Sequence, residues 1–452
     1  MKRSTLTAGA VIGTLGLVLA ACSPGADDNG GDNGATTGTE TDGTDGSGEQ
    51  ATVTFRLWDE VAAPAYEESF AKFEEQNSDI NVEIELVPWG DYWDQLPLDV
   101  SSGDMADIYW VNSSNFALYA DNGNLINITE ELGSDHDEWQ QSVVDLYTRD
   151  DALWGIPQIW DSIALFYNAD MVEEAGIDVT SLKWGGDDDT LLPAAQALTV
   201  DANGNTADSP DFDPNNVEVY GFNAQANLQA IYNPFLAANG AEFQDEDGNF
   251  AFASPEGVES FQYIVDLINE HHVAPPAAET NTNGDITRDM FVRGELALFQ
   301  SGPYHLKTVD ENAEINWGLA PLVAGPEGSY SGSHGVVAVG NEQTENREET
   351  IRVLQWLGSA EGQMPLGEMG VSFPGAVDAQ SSYVDYWAVK GIDVSVFIDA
   401  ANGDTAKAPF GPDVNAGTMA LTPKLLDVFL GSVPVDQGLQ EAQDLGNSAM
   451  SN

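Results

Sequence analysis

The sequence predicts an α/β protein whose first strands run parallel and share one rim. Two observations carry this reading. Short runs of period two alternate with longer runs of helical period between Thr52 and Val111, in the order strand, helix, strand, helix, strand. Each strand run also ends in aromatic and polar residues: Trp58-Asp59, Trp89-Gly90-Asp91 and Asn112-Ser113-Ser114. A strand joined through a helix to a neighbouring strand requires a right-handed crossover, so the strands are parallel. Their carboxyl ends then line one rim, beyond which ligands of open α/β sheets bind.

The N-terminus precedes this pattern. Lys2 and Arg3 are followed by an apolar run from Leu6 to Ala21. The run falls short of the roughly 20 residues that span a bilayer, and it reads as an export signal over residues 1–21. Leu19-Ala20-Ala21-Cys22 is similar to a bacterial lipobox, in which the cysteine carries a lipid after cleavage. The chain's single Cys occupies that position, so Cys22 is the expected lipidation site. Ser23 to Gln50 contains no aromatic residue and no Lys or Arg, and cannot repay the entropy of ordering. Residues 22–50 are therefore expected to be a lipidated cysteine and an acidic tether reaching about 30 Å. The expected location is outside the cytoplasm, on the outer face of the cell membrane.

The first strand alternates Val53, Phe55 and Leu57 with polar residues. Pro64 opens a helix with Tyr66, Phe70 and Phe73 on one face. Val82, Ile84 and Leu86 alternate with Glu83 and Glu85 as the second strand. Asp91 to Ser102 reads as a helix that Pro97 weakens or shifts. Ile108 to Val111 is a buried strand. A second α/β unit includes the strand Ile163–Asn168 and a short helix from Met171 that Gly176 stops. Ser254 and Pro255 start a helix, Glu295–Gln300 is a strand, and Ile351, Leu354 and Leu357 line a helix ended by Gly358.

Composition excludes several functions. The 452 residues include 14 Lys and Arg against 75 Asp and Glu, for a formal charge of −61. Seven of the acids lie in the tether. Without those seven, Lys2 and Arg3, 12 basic and 68 acidic residues remain, and the folded part still carries −56. Such a field repels nucleic-acid phosphates and anionic membrane surfaces. It also disfavours an anionic solute. One Cys excludes a disulfide framework and multi-cysteine metal sites. No metal or cofactor is expected. Lys depletion with abundant acid resembles surfaces adapted to high salt. The stretches from Gly185 to Asp189 and from Asp201 to Asn205 look like cation-loop fragments, but the twelve-residue loop pattern fails, and an acidic surface insertion is expected there.

Indole faces and carboxylate or amide acceptors at one rim suit a polyhydroxylated ligand, whose C–H faces stack and whose hydroxyls need acceptors. Trp58 and Trp89, just past strand ends, are the expected aromatic contacts, with Asp59, Asn112 and Ser113. Trp93 and Trp110 are expected in the core. Paired carboxylates also suit a glycoside hydrolase, but no nucleophile elbow, phosphate loop or metal motif occurs. A surface adhesin is the third alternative.

From about Val53 to its end, the chain resembles the family 1, maltose-binding-like extracellular solute-binding proteins of ABC sugar importers. The resemblance rests on stretches in order: Phe73–Asn77 into Val82–Ile84, Trp89–Leu96, Ser102–Ile108, Gly155–Pro157 with Trp160–Asn168, Phe291–Ala297, and Gly302-Pro303-Tyr304. It implies a two-lobed, type II periplasmic-binding-protein-like fold with helix-flanked, parallel-rich sheets and a ligand cleft between the lobes. It implies lobe one over 51–160 with 303–365 and lobe two over 161–302 with 366–452. The hinge would fall near Gln158–Asp161, Gln300–Gly302 and Val371–Pro374. It places Trp160 and Asp161 at the cleft, Tyr304 stacked on ligand where relatives often carry Trp, and Ser333, His334 and Phe373 at later crossings. The implied function is capture of a neutral carbohydrate by a monomer that delivers it to permease subunits, without catalysis.

Overall fold

The computed structural model describes residues 50–332, 334–411 and 413–451. The export signal, Cys22, nearly all of the tether, and Ser333 lie outside the described residues. No helix among the described residues is long and apolar enough to cross a membrane.

The strands in chain order are β1 (Ala51–Leu57), β2 (Ile80–Leu86), β3 (Ile108–Asn112), β4 (Thr148–Arg149), β5 (Ala152–Leu153), β6 (Ile156–Asp161), β7 (Ala164–Asn168) and β8 (Val200–Asp201). They continue as β9 (Val217–Phe222), β10 (Leu296–Ser301), β11 (Trp317–Pro321), β12 (Tyr330–Gly332), β13 (His334–Gly340), β14 (Phe373–Pro374) and β15 (Asp404–Ala406). A six-stranded sheet has the order β14-β6-β13-β3-β1-β2, and a five-stranded sheet has the order β11-β7-β10-β9-β8. Each sheet is the centre of one lobe.

The expected strand-helix alternation is present. β1 pairs parallel with β2 and with β3, and the intervening helices are Ala63–Gln76 and Trp89–Ser102. The second helix continues through Pro97, which forfeits one backbone donor without ending it. β2 is the sheet edge, so although Ile80 is buried, Val82 and Ile84 are only partly covered and Leu86 is exposed. Trp110 on central β3 is fully buried beside Tyr66. Ser254 caps its helix by accepting from the Gly257 amide at 3.1 Å, and Gly176 ends the Ala169–Ala175 helix at φ 66°.

Both sheets are mixed and not wholly parallel, because the chain passes between the lobes at the rim. β6 runs towards the rim, and β7 starts there and runs away in the other sheet. β13 re-enters the first sheet at the rim, so it lies antiparallel to both β3 and β6. β10 returns antiparallel to β7 and brings Tyr304 to the same place.

The lobe boundaries differ from those the resemblance implied. β11 pairs with β7, so residues 303–321 stay with the second lobe. β14 pairs with β6, and the helix Gln380–Val389 packs beside it, so 366–389 belong to the first. The chain crosses between β6 and β7, between β12 and β13, and between the helices Gln380–Val389 and Ser395–Asn402. The Gln300–Gly302 and Val371–Pro374 segments are therefore rim elements within one lobe and not crossings. Ser162 Oγ donates to the Phe397 carbonyl at 2.7 Å, and the Ile163 amide donates to Ser331 Oγ at 2.8 Å, which ties the first crossing to its neighbours.

Candidate functional site: the rim between the lobes

Asp59 follows β1. Its Oδ1 accepts from the Val61 amide at 2.7 Å and the Ala62 amide at 3.3 Å, which fixes the turn into the next helix. Oδ2 has no hydrogen-bond partner among the described residues. Burial raises the Asp59 pKa against these two bonds; Glu60 adds to the rise and Lys307 opposes it.

Asp161 ends β6 and is 7% exposed. Burial raises its pKa to about 7; a long 3.5 Å bond from Ser372 Oγ opposes the rise, and the nearby Asp59 charge adds to it. Tyr147, Tyr304 and Tyr383 all sense the Asp161 charge. Each phenol is raised chiefly by burial, Tyr304 to about 12, so all three stay neutral donors at ordinary pH.

His334 opens β13 directly opposite Asp161, so the two side chains share a sheet face. It is 4% exposed, and neither ring nitrogen has a hydrogen-bond partner. Burial lowers its pKa to about 4, leaving the imidazole neutral. Gly332 admits this ring: a Cβ there would lie 2.5 Å from His334 Nε2.

Side chains alternate along β6, so Trp160 takes the face opposite Asp161. It stacks on Phe373, centroids 4.3 Å apart at 25°, and its Nε1 has no partner. Phe373 is 0% exposed and packs on Tyr383. It was expected to touch ligand, but it has no free surface and acts as backing for Trp160.

From the second lobe, Tyr304 arrives on the turn after β10. Its ring folds over Gly302, where a Cβ would sit 2.2 Å from Tyr304 Cε1. Beside it, His305 Nδ1 lies 2.9 Å from Ser301 Oγ, and the ring stacks on Phe299. Lys307 Nζ donates to the Met369 carbonyl of the first lobe at 3.0 Å.

The remaining expected residues are more dispersed. Trp58 is half-buried in a cluster with Trp89, Tyr92, Trp93 and Trp110. Trp89 is 53% exposed and meets Trp58 edge-on at 5.4 Å. Asn112 is buried, and its Oδ1 accepts from Asn115 Nδ2. Ser113 Oγ is buried without a partner and lines a cavity towards the helix Gln141–Tyr147. The Asp201 carboxylate is not surface decoration. It is buried, and although burial alone would raise its pKa, bonds from the Asn203, Asn205 and Asp213 amides and the Asn205 side chain hold it well below the usual range. No cluster that could hold a metal ion occurs among the described residues.

Sequence reasoning missed Ser372, His305 and Lys307. None lies at a recognisable strand end; the one nearby signal is the Gly302-Pro303-Tyr304 stretch, which His305 and Lys307 closely follow. The assembled rim offers neutral phenol donors, carboxyl acceptors, an unpartnered imidazole and indole surfaces, the groups that bind hydroxyls and sugar C–H faces.

A family model described as bacterial extracellular solute-binding protein matches residues 58–364. The chain belongs to the bacterial extracellular solute-binding proteins. That family binds its ligands and is not an enzyme family. A solved relative, UspC of M. tuberculosis, is 44% identical and superposes with a TM-score of 0.71, covering 88% of this chain and 100% of that one. The substrate-binding protein Lmo0181 of Listeria monocytogenes, solved with cycloalternan, superposes at 0.77 with 19% identity, over 89% of this chain and 99% of that one. The arabinooligosaccharide-binding protein of Bacillus subtilis is 22% identical over 81% of this solute-binding protein and 79% of its own length. The two-lobed fold is common to this chain and the solved relatives.

Proposed function

We propose that this solute-binding protein is the receptor of an ABC importer, tethered to the outer face of the membrane through Cys22. In this reading it captures a carbohydrate as a monomer, closes its lobes around it and delivers it to the permease subunits. The ring held at the inner rim is neutral, since the net charge of −61 disfavours an anion. Arabinooligosaccharide and cycloalternan binding by relatives supports the carbohydrate class.

The observation that carries the reading is the buried imidazole of His334, whose two nitrogens both lack partners, on the same sheet face as Asp161 with its one long hydrogen bond. Each buried group left unpaired costs roughly 1–3 kcal/mol, which ligand hydroxyls recover on closure. Contacts from both lobes favour the closed state by their differential affinity for it.

Calorimetric titration against a panel of neutral sugars, with product analysis, tests capture without turnover. Small-angle scattering should show compaction with the sugar that binds. Failure of every sugar to bind, or release of a hydrolysed product, overturns the reading. Incorporation of labelled palmitate, abolished by Cys22→Ser, tests the tether.

A further inference from the structure

We propose that His305 is a positioning residue for carbohydrate capture: its ring, set between Ser301 and Asp285, fixes the Tyr304 turn while neutral and releases it on protonation, so that sugar is held at neutral pH and weakly bound in acid. This rests on the carbohydrate reading of the inner rim, with Tyr304 as a contact, and names what regulates that contact.

Three segments of the second lobe meet at this ring. Ser301 ends β10, and its Oγ lies 2.9 Å from His305 Nδ1, which closes the turn 301–305 around Gly302. Asp285 precedes the helix Ile286–Val292, and its Oδ1 lies 3.8 Å from His305 Nε2. The neighbouring Gly284 carbonyl accepts from Gln225 Nε2 at 3.4 Å, which joins the segment that follows β9. The His305 ring stacks on Phe299, with centroids 5.5 Å apart, and meets the Tyr304 ring edge-on at 4.7 Å. Tyr304 therefore lies over Gly302 on one side and against His305 on another, so its aim follows the placing of the imidazole.

The chemistry of the ring gives it two resting places. The Asp285 carboxylate favours the tautomer with its proton on Nε2, so Nδ1 accepts from the Ser301 hydroxyl. At 3.8 Å, Nε2 stands beyond hydrogen-bond distance of Asp285, and the neutral ring is held by Ser301. Protonation removes the Nδ1 lone pair, so the ring can no longer accept from Ser301. The imidazolium instead gains a charge-assisted bond by moving towards Asp285, and the edge that supports Tyr304 moves with it. Asp285 is ionised for this role: the His305 contact lowers its pKa, burial opposes, and Arg288 Nη1 at 3.5 Å from Oδ2 assists. Burial lowers the His305 pKa from 6.5; Asp285 and Asp289 oppose this and Arg288 adds to it, so the ring is neutral at pH 7.5. Across the rim, the Asp161 charge reaches Tyr304 from the first lobe. Ser, His and Asp are also the residue types of a hydrolytic triad. Here Ser301 is 2% exposed and meets Nδ1, the nitrogen that a triad gives to its carboxylate, so the chain supports a turn and attacks nothing.

Calorimetry with maltose, maltotriose, arabinotriose and cycloalternan at pH 7.5 and pH 5 tests this on the parent, His305→Asn and His305→Ala. Asparagine keeps an acceptor near the Nδ1 position and takes up no proton in this range. For a sugar that the parent binds, His305→Asn should stay within about threefold of the parent at pH 7.5, and His305→Ala should bind at least about tenfold more weakly. The ratio of parent to His305→Asn affinity should fall at least about threefold from pH 7.5 to pH 5. Asp59, Asp161 and His334 are common to both proteins and cancel in that ratio. A ring that only packs would give a constant ratio and no rescue by asparagine. Failure of any of these three expectations while the parent binds a sugar overturns the role of His305 and leaves the inner-rim reading standing. If the parent binds none of the four sugars, both fall. Nitrogen NMR of histidine-labelled protein supplies a check without sugar: the signal lost in His305→Asn should carry its proton on Nε2 at pH 7.5, and a proton on Nδ1 overturns the inference.

Discussion

Replacing Asp161 by Asn separates the electrostatic burden of this side chain from its shape. The folded carboxyl titrates at about 7 because it is buried, against 3.8 for the free group. Below pH 3.8 both states are protonated, and Asp161 adds no pH dependence. As pH rises above 3.8 the unfolded chain ionises while the folded chain keeps its proton. The unfolded state then binds fewer protons, so stability falls with pH until the folded carboxyl also ionises near 7. At about 1.4 kcal/mol per pKa unit, the loss reaches roughly 4 kcal/mol by pH 8. This is an upper bound, because the lobes can part and rehydrate the carboxylate at a smaller cost. Asparagine keeps the shape and cannot ionise. Urea unfolding monitored by tryptophan fluorescence at pH 4, 6 and 8 measures the difference. Asp161→Asn is expected to match the parent near pH 4 and to exceed its stability by about 2–4 kcal/mol at pH 8. A pH-independent difference, or a less stable variant at pH 8, would show that Asp161 is not held neutral by burial.

Other outcomes follow from the same geometry. Gly302→Ala places a methyl in the Tyr304 ring and should lower affinity for the captured sugar by at least about tenfold, or roughly 1.4 kcal/mol, in calorimetry; unchanged affinity would remove Tyr304 from the site. Trp89→Ala removes a half-exposed indole, so affinity should fall by about tenfold while the melting midpoint without ligand moves by only a few degrees. A large loss of stability instead would make Trp89 a packing residue of the Trp58 cluster. The net charge of −61 predicts that melting temperature rises as salt goes from dilute buffer to about 1 M, as self-repulsion is screened; a maximum in dilute buffer would refute the high-salt reading of the surface.

The sequence by itself determined the local elements. Alternation in Val53–Leu57 and Val82–Leu86, the apolar face of Tyr66, Phe70 and Phe73, the Ser254-Pro255 start and the Gly176 stop all depend on neighbours within a few residues. Those interactions are written in spacing and side-chain type. Trp58, Asp59, Asp161 and Tyr304 were legible as candidates because strand ends in α/β sheets face a crevice and because their motifs occur in order. Tertiary structure alone decided which strands are partners. β11 joins the second sheet, while β14 and the antiparallel β13 join the first, because strand direction depends on the side from which the chain enters a lobe. It also decided that Phe373 is covered by Tyr383, that Asp59 and Asp161 sense each other, and that Lys407 and Arg149 face one cavity. These are relations between segments far apart in the chain. Their energies depend on burial and through-space distance, which no local pattern of residue types encodes.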